Sequence, residues 1–114
     1  MENNVPAWYV NLEYFMKTLA VDFDGVIHEY SGWNNGELNN PVDGAVDAWT
    51  KLENAGYTLV VFTCREDLDR VQDWFHQHFG FIPEITNTKP VAVAYIDDRA
   101  IRFTNWEDIR KYFC

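Results

Sequence analysis

The sequence predicts an α/β fold built around a parallel β-sheet. Three short apolar runs, at 18–21, 57–63 and 91–96, have the composition of buried strands, and each leads into polar or acidic residues. Amphipathic stretches with helical spacing separate these runs. Because strand and helix alternate along the chain, we expect a three-layer α/β sandwich with a parallel, Rossmann-like sheet.

The first predicted strand runs from Thr18 to Val21 and stops at Asp22, as is typical of a buried parallel strand that leads into a loop. Residues 1–15 before it show no clear hydrophobic period, so we treat them as an N-terminal extension to a single domain, 16–114. Turn-forming residues dominate from His28 to Pro41, which predicts a loop or a small hairpin.

Two helices are predicted around the central strand. Asp43 can cap the first helix, and Gly56 ends it. The run 57–63 (YTLVVFT) carries no charge and is rich in β-branched residues, which favours a central strand. The second helix is predicted from about Glu66 to Phe79, with Gly80 as its stop.

The C-terminal part supplies the third predicted strand, Val91 to Ile96, which leads into Asp97 and Asp98. Residues 101–103 are expected to add a short strand, and residues 106–113 a closing helix. The sequence therefore predicts three buried strands with polar residues at their carboxyl ends.

Composition limits the classes of function. The chain of 114 residues has a formal charge of −9, so its surface repels polyanions and general nucleic-acid binding is disfavoured. It has no apolar run of the roughly 18 to 20 residues that span a bilayer and no visible signal for export. Cys64, expected in a core strand, and Cys114 form neither a disulfide framework nor a zinc set. We expect a cytoplasmic protein.

The ends of the three strands should form one site, since ligands of open parallel sheets bind outside the carboxyl ends of the strands. Several close carboxylates repel each other unless a cation neutralises them, and ligands that are all oxygen favour Mg²⁺ over zinc. We therefore expect a magnesium-binding pocket. Its candidate residues are Asp22, Asp24, Thr63, Arg65, Asp97 and Asp98.

Three ordered motifs are similar to those of one enzyme family. Asp22-Phe23-Asp24-Gly25-Val26 follows the first strand, Thr63 ends the second, and Asp97-Asp98 follows the third. In the haloacid dehalogenase-like (HAD) superfamily, strands in this order end in Asp-x-Asp, in Thr or Ser, and in paired acids. The chain resembles that superfamily from about residue 16 to residue 113, which implies a HAD-like catalytic domain.

The resemblance implies a Mg²⁺-dependent phosphatase that hydrolyses phosphate monoesters through an aspartyl-phosphate intermediate. Asp22 would be the nucleophile, and Asp24 would protonate the leaving alcohol and then activate the hydrolytic water. Thr63 and the backbone N–H groups around Asp24 and Gly25 would bind phosphate oxygens. Because Asp24 is present, cleavage of carbon–halogen bonds is disfavoured.

The resemblance also implies the metal ligands. These are Asp22, the backbone carbonyl of Asp24, and Asp97, while Asp98 acts through a water or holds a basic group in place. The family further expects a lysine that steadies the nucleophile and phosphate, and Lys89 is the first candidate.

The position of Lys89 depends on the length of the third strand. If residues 91–96 are fully extended, they cover about 20 Å and leave Lys89 at the opposite end of the sheet from Asp97. Either the strand is short, near Ala94 to Ile96, and the segment before it folds over the site, or Arg65 or Arg99 supplies the positive charge at the substrate.

Each motif also has an ordinary structural explanation. Asp22 and Asp24 could cap a turn, Asp97-Asp98 could form a turn paired with Arg99, and Thr63 could simply favour a strand. In the loop that follows the first motif, one or more of three side chains would either contact the leaving group or pack onto the body of the domain. These side chains are His28, Tyr30 and Trp33.

The spacing of the motifs leaves no room for a cap domain at either place where such a domain is customary. An open site would accept a small phosphorylated substrate or the phosphorylated end of a larger molecule, and a second subunit could close it in a homo-oligomer. The alternative function is a receiver-like or regulatory domain that binds Mg²⁺ and phosphate without turnover.

Overall fold

The structure is a computed structural model that describes residues 17–114. The predicted N-terminal extension, residues 1–15, lies outside this range. Four strands and three helices follow one another along the described chain. They are β1 (Thr18–Asp22), α1 (Ala45–Asn54), β2 (Thr58–Phe62), α2 (Leu68–Phe79), β3 (Glu84–Thr86), β4 (Ala94–Ile96) and α3 (Trp106–Phe113).

All four strands are parallel, and their order in the sheet is β3-β2-β1-β4. The first strand in sequence is therefore an inner strand, hydrogen-bonded to β2 on one side and β4 on the other. Asp22 pairs with Phe62, and Val21 pairs with Ile96. The residues that follow β2 and β4 consequently reach the same edge of the sheet as Asp22, as the sequence predicts.

A cluster of buried apolar residues lies on one face of the sheet. Side chains alternate between the two faces of a strand, and one set from β1 and β2 meets apolar residues of α1 and α2. This cluster consists of Leu19, Val21, Phe23, Ile27, Trp49, Leu59, Val61, Val71, Trp74 and Phe75. The described structure is thus an α/β fold with a helical layer on this face, and the second outer layer of the predicted sandwich stays a prediction.

Glycine fixes several ends of the helices. Gly80 ends α2 with a φ of 81°, a left-handed conformation that glycine adopts at little cost, so the predicted stop is confirmed. The start of α1 differs from the prediction. Gly44, with a φ of 85°, occupies the position before the helix, where Asp43 was expected as the cap.

The third predicted strand is shorter than expected. Only Ala94–Ile96 forms β4, which lies at the outer edge of the sheet, and each of its residues is exposed. Residues 101–103 are irregular rather than a strand. The sequence analysis also missed β3, whose three residues are too short a run to show alternation.

The connection from β3 to β4, residues 87–93, crosses β2 and β1 without a helix or strand. Three strand spacings and the offset in register separate its ends by roughly 17 Å, and an extended chain of this length spans about 25 Å. A nearly extended segment can therefore complete the crossover.

Among residues 17–114, no extra domain lies at either place where a cap domain is customary. A loop connects β1 to α1, and only α2 and β3 lie between β2 and β4. The C-terminal α3 is amphipathic, but none of its residues is buried. Within the described chain, no helix is both long and apolar enough to cross a membrane.

Candidate functional site

Three carboxylates meet at the edge of the sheet where β1 and β4 end. Oxygen atoms of Asp22, Asp97 and Asp98 all lie within 4.8 Å of one another. This proximity follows from the register, since Val21 pairs with Ile96 and the next residues are Asp22 and Asp97. The three side chains offer only oxygen ligands, the donor type that hard cations such as Mg²⁺ prefer.

Burial and crowding raise the pKa of Asp22 to about 6. Loss of hydration is the largest cause, and the negative charge of Asp97 is the next, with a further increase from Asp98. A hydrogen bond from the backbone N–H of Phe23 to Asp22 Oδ1, at 2.9 Å, acts in the opposite direction. Without a counter-charge, the Asp22 carboxylate is therefore destabilised, as expected for residues that fit a divalent cation.

Gly25 lets the backbone of the first motif pass close to the acidic group. Its φ is 88°, and a Cβ at this position would overlap Asp98 Oδ2. The N–H of Gly25 donates to the carbonyl oxygen of His28 at 2.8 Å. In this structure Gly25 thus allows the backbone to approach the Asp98 carboxylate closely. Its N–H, which was expected to bind phosphate, instead closes a turn.

The carboxylate of Asp24 is held by two buried side chains. Arg65 donates from Nε to Asp24 Oδ2 at 2.8 Å and from Nη2 to Oδ1 at 3.1 Å. His28 Nδ1 lies 2.9 Å from the same Oδ1. Asp24 is therefore fixed beside the acidic group formed by Asp22, Asp97 and Asp98, but its side chain is not a member of that group.

Of the two alternatives for His28, the structure has the one in which it packs into the body of the domain, because the ring is completely buried and both nitrogens are engaged. Nε2 accepts from the backbone N–H of Asn39 at 2.7 Å, so Nδ1 carries the proton and donates it to Asp24. Burial lowers the pKa of His28, although the hydrogen bond to Asp24 opposes that shift. A neutral His28 therefore links Asp24 to the loop that follows it.

Arg65 forms ion pairs with two acidic residues of the site. Its side chain is only 5% exposed, and its ion pair with Asp67 has a distance of 3.1 Å. Burial opposes its charge, but the hydrogen bonds and negative charge of Asp24, together with Asp67, raise the pKa of Arg65. Its guanidinium carbon lies 5.7 Å from the ring centre of Phe23 and 5.2 Å from that of Trp33.

The residues after β2 complete this edge of the site. Thr63 is buried, and its hydroxyl accepts from the backbone N–H of Arg65 at 3.2 Å, which leaves its own O–H free to donate. Cys64 was expected to pack in the core. Instead it lies beyond the end of β2 and is exposed.

A cavity of about 540 Å³ opens over these groups. Its lining includes both acidic residues at the carboxyl ends of the strands and aromatic residues of the loop that follows β1. Its lining consists of Asp22, Asp24, Tyr30, Trp33, Thr63, Cys64, Arg65, Glu66, Asp67, Asp98 and Arg99. Arg65 and Arg99, both candidates for the positive charge, are in this lining.

Lys89 is not among the residues that line the cavity. Its Nζ lies 4.8 Å from the centre of the Tyr95 ring, on the exposed edge strand β4. Of the arrangements left open by the sequence, the structure has the short third strand, and it brings Arg65 and Arg99 into the cavity.

Sequence reasoning overlooked the network around Asp24. Arg65 was a general candidate for substrate binding, but its pairing with Asp24 joins residues far apart in the chain, which no local pattern reveals. The one available signal was composition: the residues that follow β1 and β2 include a histidine, an arginine and three acids.

Comparison with known proteins gives a structural relative. No protein-family model matches the chain, and no curated protein matches it significantly. The chain is similar to the solved structure of a conserved protein from Bacteroides thetaiotaomicron, with 25% sequence identity and a TM-score of 0.63. The match covers 84% of this chain and 88% of that protein, so nearly the whole α/β fold is shared.

Proposed function

We propose that this protein is a Mg²⁺-dependent phosphohydrolase of the HAD type that hydrolyses phosphate monoesters. The observation that carries the proposal is the convergence of Asp22, Asp97 and Asp98, whose carboxylate oxygens lie within 4.8 Å of one another. The inner position of β1 supports it, because the ends of both neighbouring strands adjoin the Asp-x-Asp motif.

In the proposed reaction, a carboxylate oxygen of Asp22 attacks phosphorus, and the bond from phosphorus to the alcohol oxygen breaks. The alcohol oxygen leaves with the electron pair and takes a proton from Asp24. Water then attacks the aspartyl phosphate, gives a proton to Asp24, and releases Asp22 and inorganic phosphate. Thr63, whose O–H can donate, binds a phosphate oxygen.

The residues fit a hard cation. Asp22 and Asp97, with Asp98 directly or through a water, would hold it, and the backbone carbonyl of Asp24 is the further proposed ligand. A bound Mg²⁺ would supply positive charge that offsets the negative charge of the phosphoryl group during transfer. Arg99, which lines the cavity, is better placed than Lys89 to add positive charge from the protein.

One acceptor site of the Asp24 carboxylate stays open beside its three hydrogen bonds. An ionised carboxylate has about four acceptor sites. The hydrogen bonds from His28 and Arg65 account for three of them. The same contacts hold the side chain in one orientation beside Asp22, as a group that transfers protons to and from a fixed position must be held.

One observation favours the alternative of a domain that binds Mg²⁺ and phosphate without turnover. Both oxygens of Asp24 accept hydrogen bonds from Arg65, and His28 adds a third contact, so the side chain is held in a structural network. A regulatory domain would keep the acidic group of Asp22, Asp97 and Asp98 but would not cycle a proton through Asp24.

Hydrolysis of p-nitrophenyl phosphate with Mg²⁺ separates the two functions, with the Asp22→Asn and Asp24→Asn variants as comparisons. The phosphohydrolase predicts turnover that both variants lose, and the binding domain predicts none in any of the three proteins. Calorimetric titration with Mg²⁺ is the companion measurement. If the wild-type protein takes up no Mg²⁺ at millimolar concentration, both functions fail.

A further inference from the structure

The lining of the cavity beside Asp22 has two chemically different parts. It includes the carboxylates that would meet the metal and phosphate, and it also includes Tyr30 and Trp33 from the loop after β1. At about 540 Å³ the cavity is far larger than a phosphate group, and it falls in the size range of sites for small organic ligands. The leaving group of a substrate would therefore lie against the aromatic part of the lining.

Trp33 lies against Arg65. The guanidinium carbon of Arg65 lies 5.2 Å from the centre of the Trp33 ring and 5.7 Å from the centre of the buried Phe23 ring. Arg65 cannot shift freely, because Asp24 and Asp67 hold it. Trp33 thus rests on a rigid support, although its own side chain stays exposed.

The exposure of Trp33 argues against simple packing of the loop onto the body of the domain. Phe23 is 0% exposed, whereas Trp33 remains 64% exposed and lines the cavity, so a ligand in the cavity can reach its indole ring. An indole with a supported face and a large open area is suited to stack on a planar ligand. Base–aromatic stacking of this kind contributes about 1–3 kcal/mol per base in nucleic-acid binding proteins.

The charges of the lining limit the ligand further. Five acidic residues line the cavity, against two arginines, and Arg65 is already paired with Asp24 and Asp67. A leaving group with additional phosphates would meet net repulsion there. The acidic residues of the lining are Asp22, Asp24, Glu66, Asp67 and Asp98.

We propose that the site takes phosphate monoesters whose leaving group is uncharged and carries a planar ring, with Trp33 as the stacking surface for that ring. This inference rests on the proposed phosphohydrolase function. Nucleoside monophosphates and aryl phosphates both have this chemistry, whereas glycerol 3-phosphate has the phosphate without the ring.

The test compares kcat/KM for adenosine 5′-monophosphate, p-nitrophenyl phosphate and glycerol 3-phosphate in the wild type and in three variants. Trp33→Ala should lower kcat/KM about tenfold for the ring substrates, in line with the stacking energy, and less than twofold for glycerol 3-phosphate. Trp33→Phe should restore most of the loss. Trp106→Ala removes an exposed tryptophan from α3 and should change none of the values.

A loss confined to one ring substrate supports the inference and identifies the source of the ring. An equal loss for all three substrates, or a wild-type preference for glycerol 3-phosphate, overturns it. If no substrate is turned over, the proposed function fails, and calorimetric binding of adenosine 5′-monophosphate with Mg²⁺ decides the inference separately. Binding that weakens in Trp33→Ala supports it, whereas binding that is absent or unchanged overturns it.

Discussion

Gly25 and Asp98 are so close that position 25 cannot carry a side chain without displacing the Asp98 carboxylate. The contact brings the backbone of the first motif against the acid pair that follows β4. The absence of a side chain at Gly25 is therefore required by Asp98, which lies far from it in the sequence.

We expect Gly25→Ala to weaken Mg²⁺ binding at least tenfold, because the Asp98 carboxylate must leave its place beside Asp22. The positive φ adds a backbone cost of about 1 kcal/mol. Gly44→Ala is a matched control, since Gly44 has a φ of 85° but open space where a Cβ would lie. Calorimetry should show weaker Mg²⁺ binding for Gly25→Ala alone, and similar loss in both variants would contradict this explanation.

Asp22 should make the metal-free protein less stable as the pH rises. Its pKa is about 6 in the folded protein and 3.8 as an ordinary carboxyl group, so the folded state holds the proton more tightly. The stabilisation that comes from the proton on Asp22 is fully present below about pH 4 and is lost as the pH rises through about 6.

Asp22→Asn should therefore raise the melting temperature of the metal-free protein by a few degrees at pH 7.5 and change it little at pH 4. Thermal unfolding in the presence of a chelator measures this difference, and Mg²⁺ should reduce or reverse it by stabilising the wild type. The exposed Asp43→Asn serves as the control. A variant that melts below the wild type at pH 7.5 would count against the assigned cause.

Arg65→Lys should slow catalysis without weakening metal binding. Lysine keeps the positive charge, but it cannot donate two hydrogen bonds to Asp24 in the fixed geometry of a guanidinium. Because small displacements of a proton-transfer group are costly, we expect kcat to fall about 10²-fold.

Steady-state kinetics and Mg²⁺ titration together test the role of Arg65. The control is Arg110→Lys, whose ion pair with Glu107 is exposed and contributes little. Unchanged kcat in Arg65→Lys would show that the orientation of Asp24 is unimportant for turnover.

His28→Gln should cost about 1–3 kcal/mol of stability at pH 7, because at least one of the hydrogen bonds to Asp24 and to the N–H of Asn39 is lost or distorted in a buried place. The cost should shrink at pH 5. The lowered pKa of His28 means that the unfolded wild type binds a proton more readily, so the wild type loses stability as the pH falls through about 6.5.

Urea unfolding at the two pH values measures both effects of His28→Gln. His76→Gln removes an exposed imidazole from α2 and controls for the change of residue. A cost for His28→Gln that is larger at pH 5 than at pH 7 would reverse the predicted sign.

Local sequence patterns predicted the elements that have strong local signals. Helix α3 has the expected bounds, and Gly80 ends α2, since capping and helical spacing depend on neighbouring residues. The end of the first strand at Asp22 was also placed correctly, because an acid interrupts the apolar run, and the predicted end of the second strand at Thr63 lies one residue beyond the observed end at Phe62. Local chemistry was sufficient for these features.

The features that the sequence did not predict depend on tertiary structure. The sequence left open whether His28 contacts the leaving group or packs onto the domain, because its burial depends on Phe23 and Trp74, which pack against its ring. Cys64 was expected inside because β2 was predicted to run farther than it does. Strand β4 is short, exposed and at an edge of the sheet, and its position in the sheet is not encoded in its own sequence.

The inner position of β1 also bears on how the protein folds. Asp22 and Asp97 come from distant parts of the described chain, and they meet only when β4 pairs with β1. Closing such a long loop is entropically slow, so this pairing should be a late event in folding. A cation that bridges both strands would stabilise the late pairing by mass action, and metal supply would then set how long edge strand β4 stays attached.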